Sequence, residues 1–205
     1  MTGRAAAGAG PRPKTPLLPG EIRRPALPAG RDRRAGEIIA AARRILESEG
    51  PEALTMRRVA GELGIQAPSL YKHFPGKAAV EAELIVSAMT EIGEMTHRAI
   101  HRPRPYSRLM ALLRTYRQYG LANAALYRLA TQGSLARDLL PPGLEEWAGN
   151  PWSVVTGDQA LVQALWSFAH GMVILEIDGR YPPGSDLNLT WRAGGAAFER
   201  HAALE

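Results

Sequence analysis

Two sets of residues in this sequence have the types and spacing to do chemistry. Glu94, His97 and His101 fall at intervals of three and four, which would place them on one stripe of a helix, and Glu-x-x-His is half of the ligand set of a di-iron helical bundle. A bundle site needs that motif twice. No second copy occurs, so the stripe remains either a lone metal-sensing set or a solvated helix face. The other set lies between residues 55 and 77 and joins hydroxyl, guanidinium, ammonium and imidazole groups to a tyrosine. That is the chemistry of holding phosphates and reading base edges rather than of making bonds. The chain carries no Gly-x-Ser-x-Gly elbow, no phosphate loop and no Gly-x-Gly-x-x-Gly. With no cysteine among 205 residues, disulfides, zinc–cysteine clusters, iron–sulfur centres and thiol nucleophiles are excluded. No catalytic residue, cofactor or bound metal is expected.

The elements that would position the second set can be read from periodicity. Ile38, Ile39, Ala42, Ile45 and Leu46 recur at the three-to-four spacing of an amphipathic helix that Gly50 and Pro51 end. Thr55 is a good N-cap for the next helix, with Leu54 and Val59 at the two positions of a hydrophobic staple, although Arg58 stands where a capping-box acid would. That helix runs to Gly64, which can take the left-handed conformation of a sharp turn. Pro68 suits the first position of a third helix, barely two turns long, that stops at Pro75-Gly76. Ala60, four residues before Gly64, leaves room for two helices to cross closely. The unit is a helix-turn-helix. Leu70 and Phe74, four apart, are its expected buried pair, so Ala67, Pro68, Ser69, Tyr71, Lys72 and His73 are left to face a major groove. Arg57 can reach a guanine edge or a phosphate, and Thr55 and Lys77 flank the unit where backbone phosphates would pass. For Thr55, a purely capping role is equally open.

Residues 54–77, LTMRRVAGELGIQAPSLYKHFPGK, resemble the DNA-binding signature of the TetR family of transcriptional repressors, with its LY-x-HF-x-x-K hallmark intact. The resemblance implies three N-terminal DNA-binding helices, a long linking helix, an all-α ligand-binding domain and a homodimer. It assigns Arg57, Ala67, Pro68, Ser69 and Lys72 to base-edge or groove contact, and Thr55, Tyr71, His73 and Lys77 to phosphates. Many members have an aromatic residue where this chain has Lys72, so an operator sequence cannot be borrowed from a relative.

Charge agrees with a polyanion partner at one end. The formal net charge of +5 divides into +4 over residues 1–30, +3 over 31–77 and −2 beyond. Residues 1–30, with six prolines, five glycines and no period, are expected to form a disordered basic tail ahead of a DNA-binding domain at 31–77 and a ligand-binding and dimerisation domain at 78–205. The tail lacks the continuous apolar run of a secretory signal, so a cytoplasmic location without membrane attachment is expected.

In the second domain, Val80, Leu84, Ile85, Ala88, Ile92, Met95 and Ala99 mark one long helix over 77–101, a rod from the DNA reader to a second core. Helices follow at 106–121 and from Asn123, then two short pieces over 135–147 broken at Pro141-Pro142-Gly143. Residues 158–177 are apolar nearly all round, which calls for burial on more than one side: one against the core, the other against a second copy, with 186–201 as the dimer partner. Two-fold symmetry would set two recognition helices ~34–36 Å apart, matching a palindromic operator in double-stranded DNA. Trp166, His170 and Gly171 resemble the Trp-x-x-x-His-Gly motif of a TetR C-terminal subgroup. Tyr116, Tyr119, Trp147, Trp166 and His170 are the candidate lining of an apolar pocket for a small-molecule effector, and a place for His170 at the dimer interface stays open. The chain is thus read as an all-α, homodimeric repressor released by an effector. The alternatives are an all-α small-molecule or metal-binding protein or enzyme, or an interaction module, with the DNA unit not used for specific regulation.

Overall fold

The computed structural model describes residues 18–26, 32–102 and 105–202, and every element among them is helical. The first is α1 (Arg33–Glu49), whose N-terminus is capped by Asp32 accepting from the Ala35 amide at 2.7 Å. Its apolar stripe of Ile38, Ile39, Ala42, Ile45 and Leu46 is buried as the spacing requires. Next comes α2 (Met56–Glu62), capped by Thr55 and sealed by Leu54 and Val59, both 1% exposed. Gly64 turns the chain at φ 65°, where a side chain would be strained. The segment expected as a short α-helix is instead a 3-10 helix, Ala67–Lys72. With bonds from Ser69 N to Gln66 O (2.9 Å) and His73 N to Leu70 O (2.9 Å), it is a tight connector too short to be stable alone, held by burial of Leu70 and Phe74.

The 25-residue α3 (Lys77–His101) is the spine. Against it pack α4 (Arg108–Ala122), α5 (Ala124–Thr131) and α6 (Leu144–Thr156); α7 (Gln159–Ile177) packs in turn on α4 and α6, and α8 (Leu187–Ala202) on α4 and α7, with a 3-10 turn at Arg137–Leu139 ahead of α6. One core joins α1, α2 and the 3-10 helix to the first half of α3 and to Leu126 of α5. A second, aromatic core fills the space between α4, α6, α7 and α8. The eight residues of α5 belong to both, since Leu126 faces the first and Tyr127 the second.

Three sequence expectations need correction. The second piece of 135–147 does not stop at Trp147: α6 continues through Pro151 to Thr156. Proline has no N–H to give the carbonyl four residues back, and that carbonyl, on Trp147, accepts instead from His97 Nε2 at 2.9 Å. Residues 18–26 are not a loose tail but a strap across α3 and α6. Leu18 packs on the second core, Asn150 bonds the Ile22 amide (3.0 Å) and the Gly20 carbonyl (3.0 Å), and Arg24 pairs with Glu94 and lies over the Trp147 ring. The remaining tail residues, 1–17 and 27–30, fall outside those described. Third, His97 and His101 are not on a solvated face. The Glu21 side chain, 3% exposed, reaches His97 Nδ1 at 2.5 Å and His101 Nε2 at 2.7 Å. Among the described residues no cluster of histidine, aspartate and glutamate is arranged to hold a metal.

Helix α7 is long and apolar enough to cross a bilayer by composition. Its Glu176, however, accepts from Arg117 at 2.7 Å and from the Trp191 indole at 2.5 Å, which ties it into the helical body against α4 and α8.

Candidate nucleic-acid interface and effector cavity

The exposed rim of the helix-turn-helix carries the residues its sequence left over from packing. Leu70 (0% exposed) and Phe74 (5%) anchor the 3-10 helix in the core, and this turns Tyr71 outward to 53% exposure. Pro68 and Lys72 are exposed beside it, Ala67 and Ser69 are half-buried, and Arg57, on the first turn of α2, is exposed as well. Thr55 Oγ1 accepts from the Arg58 amide at 3.1 Å, and its own O–H can still be donated outward. Lys77 sits exposed at the start of α3, with Nζ 3.3 Å from the Pro51 carbonyl and 3.5 Å from Glu81.

His73 is turned differently. Its Nδ1 lies 3.2 Å from Asp32, the residue that caps α1, so this ring nitrogen is taken up within the domain. The Ala35 backbone bond, with the neighbouring imidazole, holds the Asp32 carboxyl below its usual range. Arg58 is occupied by Glu49 (2.6 Å) and Glu62 (3.0 Å), so the positive charge offered along this rim comes from Arg57, Lys72 and Lys77.

The second domain encloses a cavity of about 670 Å³ between α3, α4, α5, α6 and α7. Tyr116, Tyr119 and Trp166 line it as the sequence suggests. Trp147 does not. Its ring fills the notch left by Gly93, where a Cβ would come within 2.6 Å of Cζ3, and stacks on His97 at 5.0 Å between ring centroids. His170 does not line the cavity either but supports it from behind: its Nδ1 is 2.8 Å from the Tyr127 hydroxyl, and its ring stacks on Trp166 at 5.4 Å. Sequence reasoning misses Tyr127 and Trp152, both in the lining. By pattern, Tyr127 is one more apolar position on a short helix, and Trp152 lies past Trp147, where the helix is expected to have ended.

The polar atoms in this cavity form a chain. Tyr116 and Tyr127 hydroxyls are 2.9 Å apart, and the Tyr127 hydroxyl is in turn 2.8 Å from His170 Nδ1. Burial raises the Tyr116 hydroxyl to about 12, raises Tyr127 and Tyr119 as well, and lowers His170, so all four are neutral near pH 7. Tyr119 donates to Glu91 (3.2 Å), which pairs with Arg43 of α1.

Comparison with known proteins gives these features a context. Residues 38–84 match the family of bacterial regulatory proteins known as the tetR family. Over 93 residues the chain is 26% identical to the uncharacterized HTH-type transcriptional regulator YobS of Bacillus subtilis, a match covering 45% of this chain and 49% of that protein. The chain thus spans about half the length of that relative. In structure it is similar to a protein of unknown function from Rhodococcus sp. RHA1, with a TM-score of 0.67 at 21% identity over 86% of this chain and 98% of the other. The same fold occurs in BioQ bound to its double-stranded DNA operator, with a TM-score of 0.54 at 19% identity over 83% and 98% of the two chains.

Proposed function

Residues 38–84 carry the N-terminal domain of the tetR family of bacterial regulatory proteins, and from that premise we propose that this chain is a sequence-specific, DNA-binding transcriptional repressor working in the cytoplasm as a homodimer. The observation that carries the proposal is the rim itself: Pro68, Tyr71 and Lys72 stand exposed on a 3-10 helix whose Leu70 and Phe74 are locked in the core. Lys72, Ser69, Pro68, Ala67 and Arg57 face the base edges. Tyr71, Lys77 and Thr55 hold backbone phosphates, with His73 using Nε2.

Support for the homodimer comes from α7. Leu165, Ala169, Met172 and Val173 point into the core, while Ala164, Ser167 and Leu175 stay exposed on the opposite face, and α8 exposes Leu189 and Ala197. Gly171 has open space over its Cα on that same face. A two-fold axis there buries the apolar strip and sets two recognition elements ~34–36 Å apart on one palindrome. The cavity of the second domain takes the small-molecule effector, which favours a dimer whose spacing no longer fits DNA. A differential affinity of ~5.5 kcal/mol would move occupancy from 1:99 to 99:1. The Trp166, His170 and Gly171 motif is what favours the matching C-terminal subgroup for this chain.

Selection of bound duplexes from a random pool tests the reading. Enrichment of one palindromic motif is expected. Recovery of unrelated sequences, or of a motif without two-fold symmetry, would overturn specific binding or the dimer respectively.

A further inference from the structure

We infer that the groove between α4 and α8 is a second binding site, separate from the effector cavity, for a phosphate monoester with a small apolar body. Three arginines on two helices carry this. Arg114 and Arg117 of α4 and Arg192 of α8 line one pocket of about 380 Å³, and no aspartate or glutamate shares its lining. The chain beyond residue 77 is net acidic at −2, and Arg98, Arg128 and Arg137 within it each sit against a carboxylate. Arg114 and Arg192 have no carboxylate partner among the described residues. Arg117 is the fixed member: its Nε and Nη2 donate to Glu176 Oε2 (3.1 and 2.7 Å), its Nη1 donates to Asn188 Oδ1 (2.7 Å), and its guanidinium lies over the Trp191 ring at 5.7 Å. One N–H on each terminal nitrogen is left to give. Glu176, 6% exposed, spends its other oxygen on the Trp191 indole, so it is not available to a second arginine. Two positive charges face the pocket uncompensated.

The other polar groups of the lining can donate as well. Arg114 is held over the Tyr106 ring at 5.2 Å, a contact that commits none of its N–H groups to an acceptor. Asn188 accepts through Oδ1, which leaves its NH₂ to donate, and the exposed Gln118 amide has no partner among the described residues. Charge then decides between anions. A carboxylate brings one negative charge, whereas a phosphate monoester brings about 1.5–2 near neutral pH, with three acceptor oxygens for the guanidinium forks. The apolar part of the wall receives the ester's body: Trp191, 3% exposed, and Leu121, 41% exposed, line it together with Met110 and Leu113. A volume at the small end of ligand sites limits that body to about one ring. The lining shares no residue with that of the effector cavity, although α4 contributes to both.

The test is isothermal titration of the full chain at about pH 7.5 and fixed ionic strength, without DNA, with phenyl phosphate, phenyl sulfate and inorganic phosphate. Phenyl phosphate should bind saturably, and about tenfold or more tighter than phenyl sulfate, which has the same shape and a single charge. It should also bind about threefold or more tighter than inorganic phosphate, which lacks the ring. Arg114→Gln and Arg192→Gln should each weaken phenyl phosphate by about fivefold or more, whereas Arg33→Gln, an equal loss of charge on α1, should leave it within about twofold. Both pocket variants change exposed side chains, and their melting temperatures without ligand should match the parent's. No saturable uptake of phenyl phosphate, equal affinity for phenyl sulfate or inorganic phosphate, or unchanged affinity in the pocket variants overturns the inference. So does a loss in Arg33→Gln as large as theirs, which would reduce the site to general attraction between opposite charges. The titration involves neither the DNA-contacting rim nor the effector cavity, so its outcome stands apart from that of the duplex selection.

Discussion

Replacing Glu21 by alanine should cost this protein far more stability than a residue in a proline-rich N-terminal segment ordinarily would. The side chain is 3% exposed and makes two contacts with imidazole nitrogens, at 2.5 Å to His97 and 2.7 Å to His101. Hydrogen bonds involving a charged group contribute about 1.5–3 kcal/mol each, and water entering the vacated space offsets part of the loss, so a net loss of about 2–4 kcal/mol is expected. The matched control is Glu94→Ala. Glu94 sits on the same stripe of α3 but pairs with Arg24 and Arg98, whose side chains are 44% and 57% exposed, so it should cost less than about 1 kcal/mol. Urea unfolding followed by far-ultraviolet circular dichroism reads the difference as a midpoint shift of about 1–2 M for Glu21→Ala, taking a slope of about 2 kcal/mol/M. If the two variants unfold at the same urea concentration, the strap does not hold α3 in the way described.

Glu21 also sets a pH dependence. Although its burial opposes ionisation, the Leu18 amide and the two histidines hold its carboxyl below the usual range. Its contribution is therefore present above the ordinary carboxylate value and lost as pH falls through the depressed one. Thermal melts between pH 6 and pH 3 should show a steeper decline for the parent chain than for Glu21→Gln. Gly93→Ala should cost about 1–3 kcal/mol, because the added Cβ meets Trp147 Cζ3 at 2.6 Å, and a lowered melting temperature checks it. Glu47→Ala removes the carboxylate that accepts from the Leu126 (3.1 Å) and Ala125 (3.3 Å) amides, and hydrogen exchange at those amides should accelerate with a stability loss of about 1 kcal/mol. On DNA, Tyr71→Ala and Lys77→Ala should weaken binding to all duplexes. For Lys77→Ala the salt slope should flatten by about 0.9, while Lys72→Ala should change the preferred base in a repeated selection.

Local signals carry most of the helical architecture. The cap at Thr55, the buried stripe of α1 and the Leu70–Phe74 pair are set by residues close in sequence, and each appears where those residues place it. What escapes a reading of the sequence depends on partners far along the chain. Nothing near Glu21 announces that two histidines some 76 and 80 residues away will hold it. The helix expected to stop at Trp147 runs on past Pro151 because the carbonyl this proline orphans is met by His97, a residue on another helix. Trp147 resembles a cavity wall by type alone, yet the missing side chain of Gly93 draws it elsewhere. Tyr127 is the same case in reverse: its role comes from Tyr116 and His170 converging on one hydroxyl.

The short helix α5 has a mechanical meaning. One of its side chains, Tyr127, forms part of the cavity wall, while the amides of its first turn are held by Glu47 and its Leu126 is embedded among residues of α1. Eight residues of helix measure only about 12 Å. Arg43, one turn from Glu47 on α1, is joined through Glu91 to Tyr119 on another side of the cavity. A displacement of these two tyrosine rings reaches α1 through one short helix and one relayed contact, without first flexing the long spine.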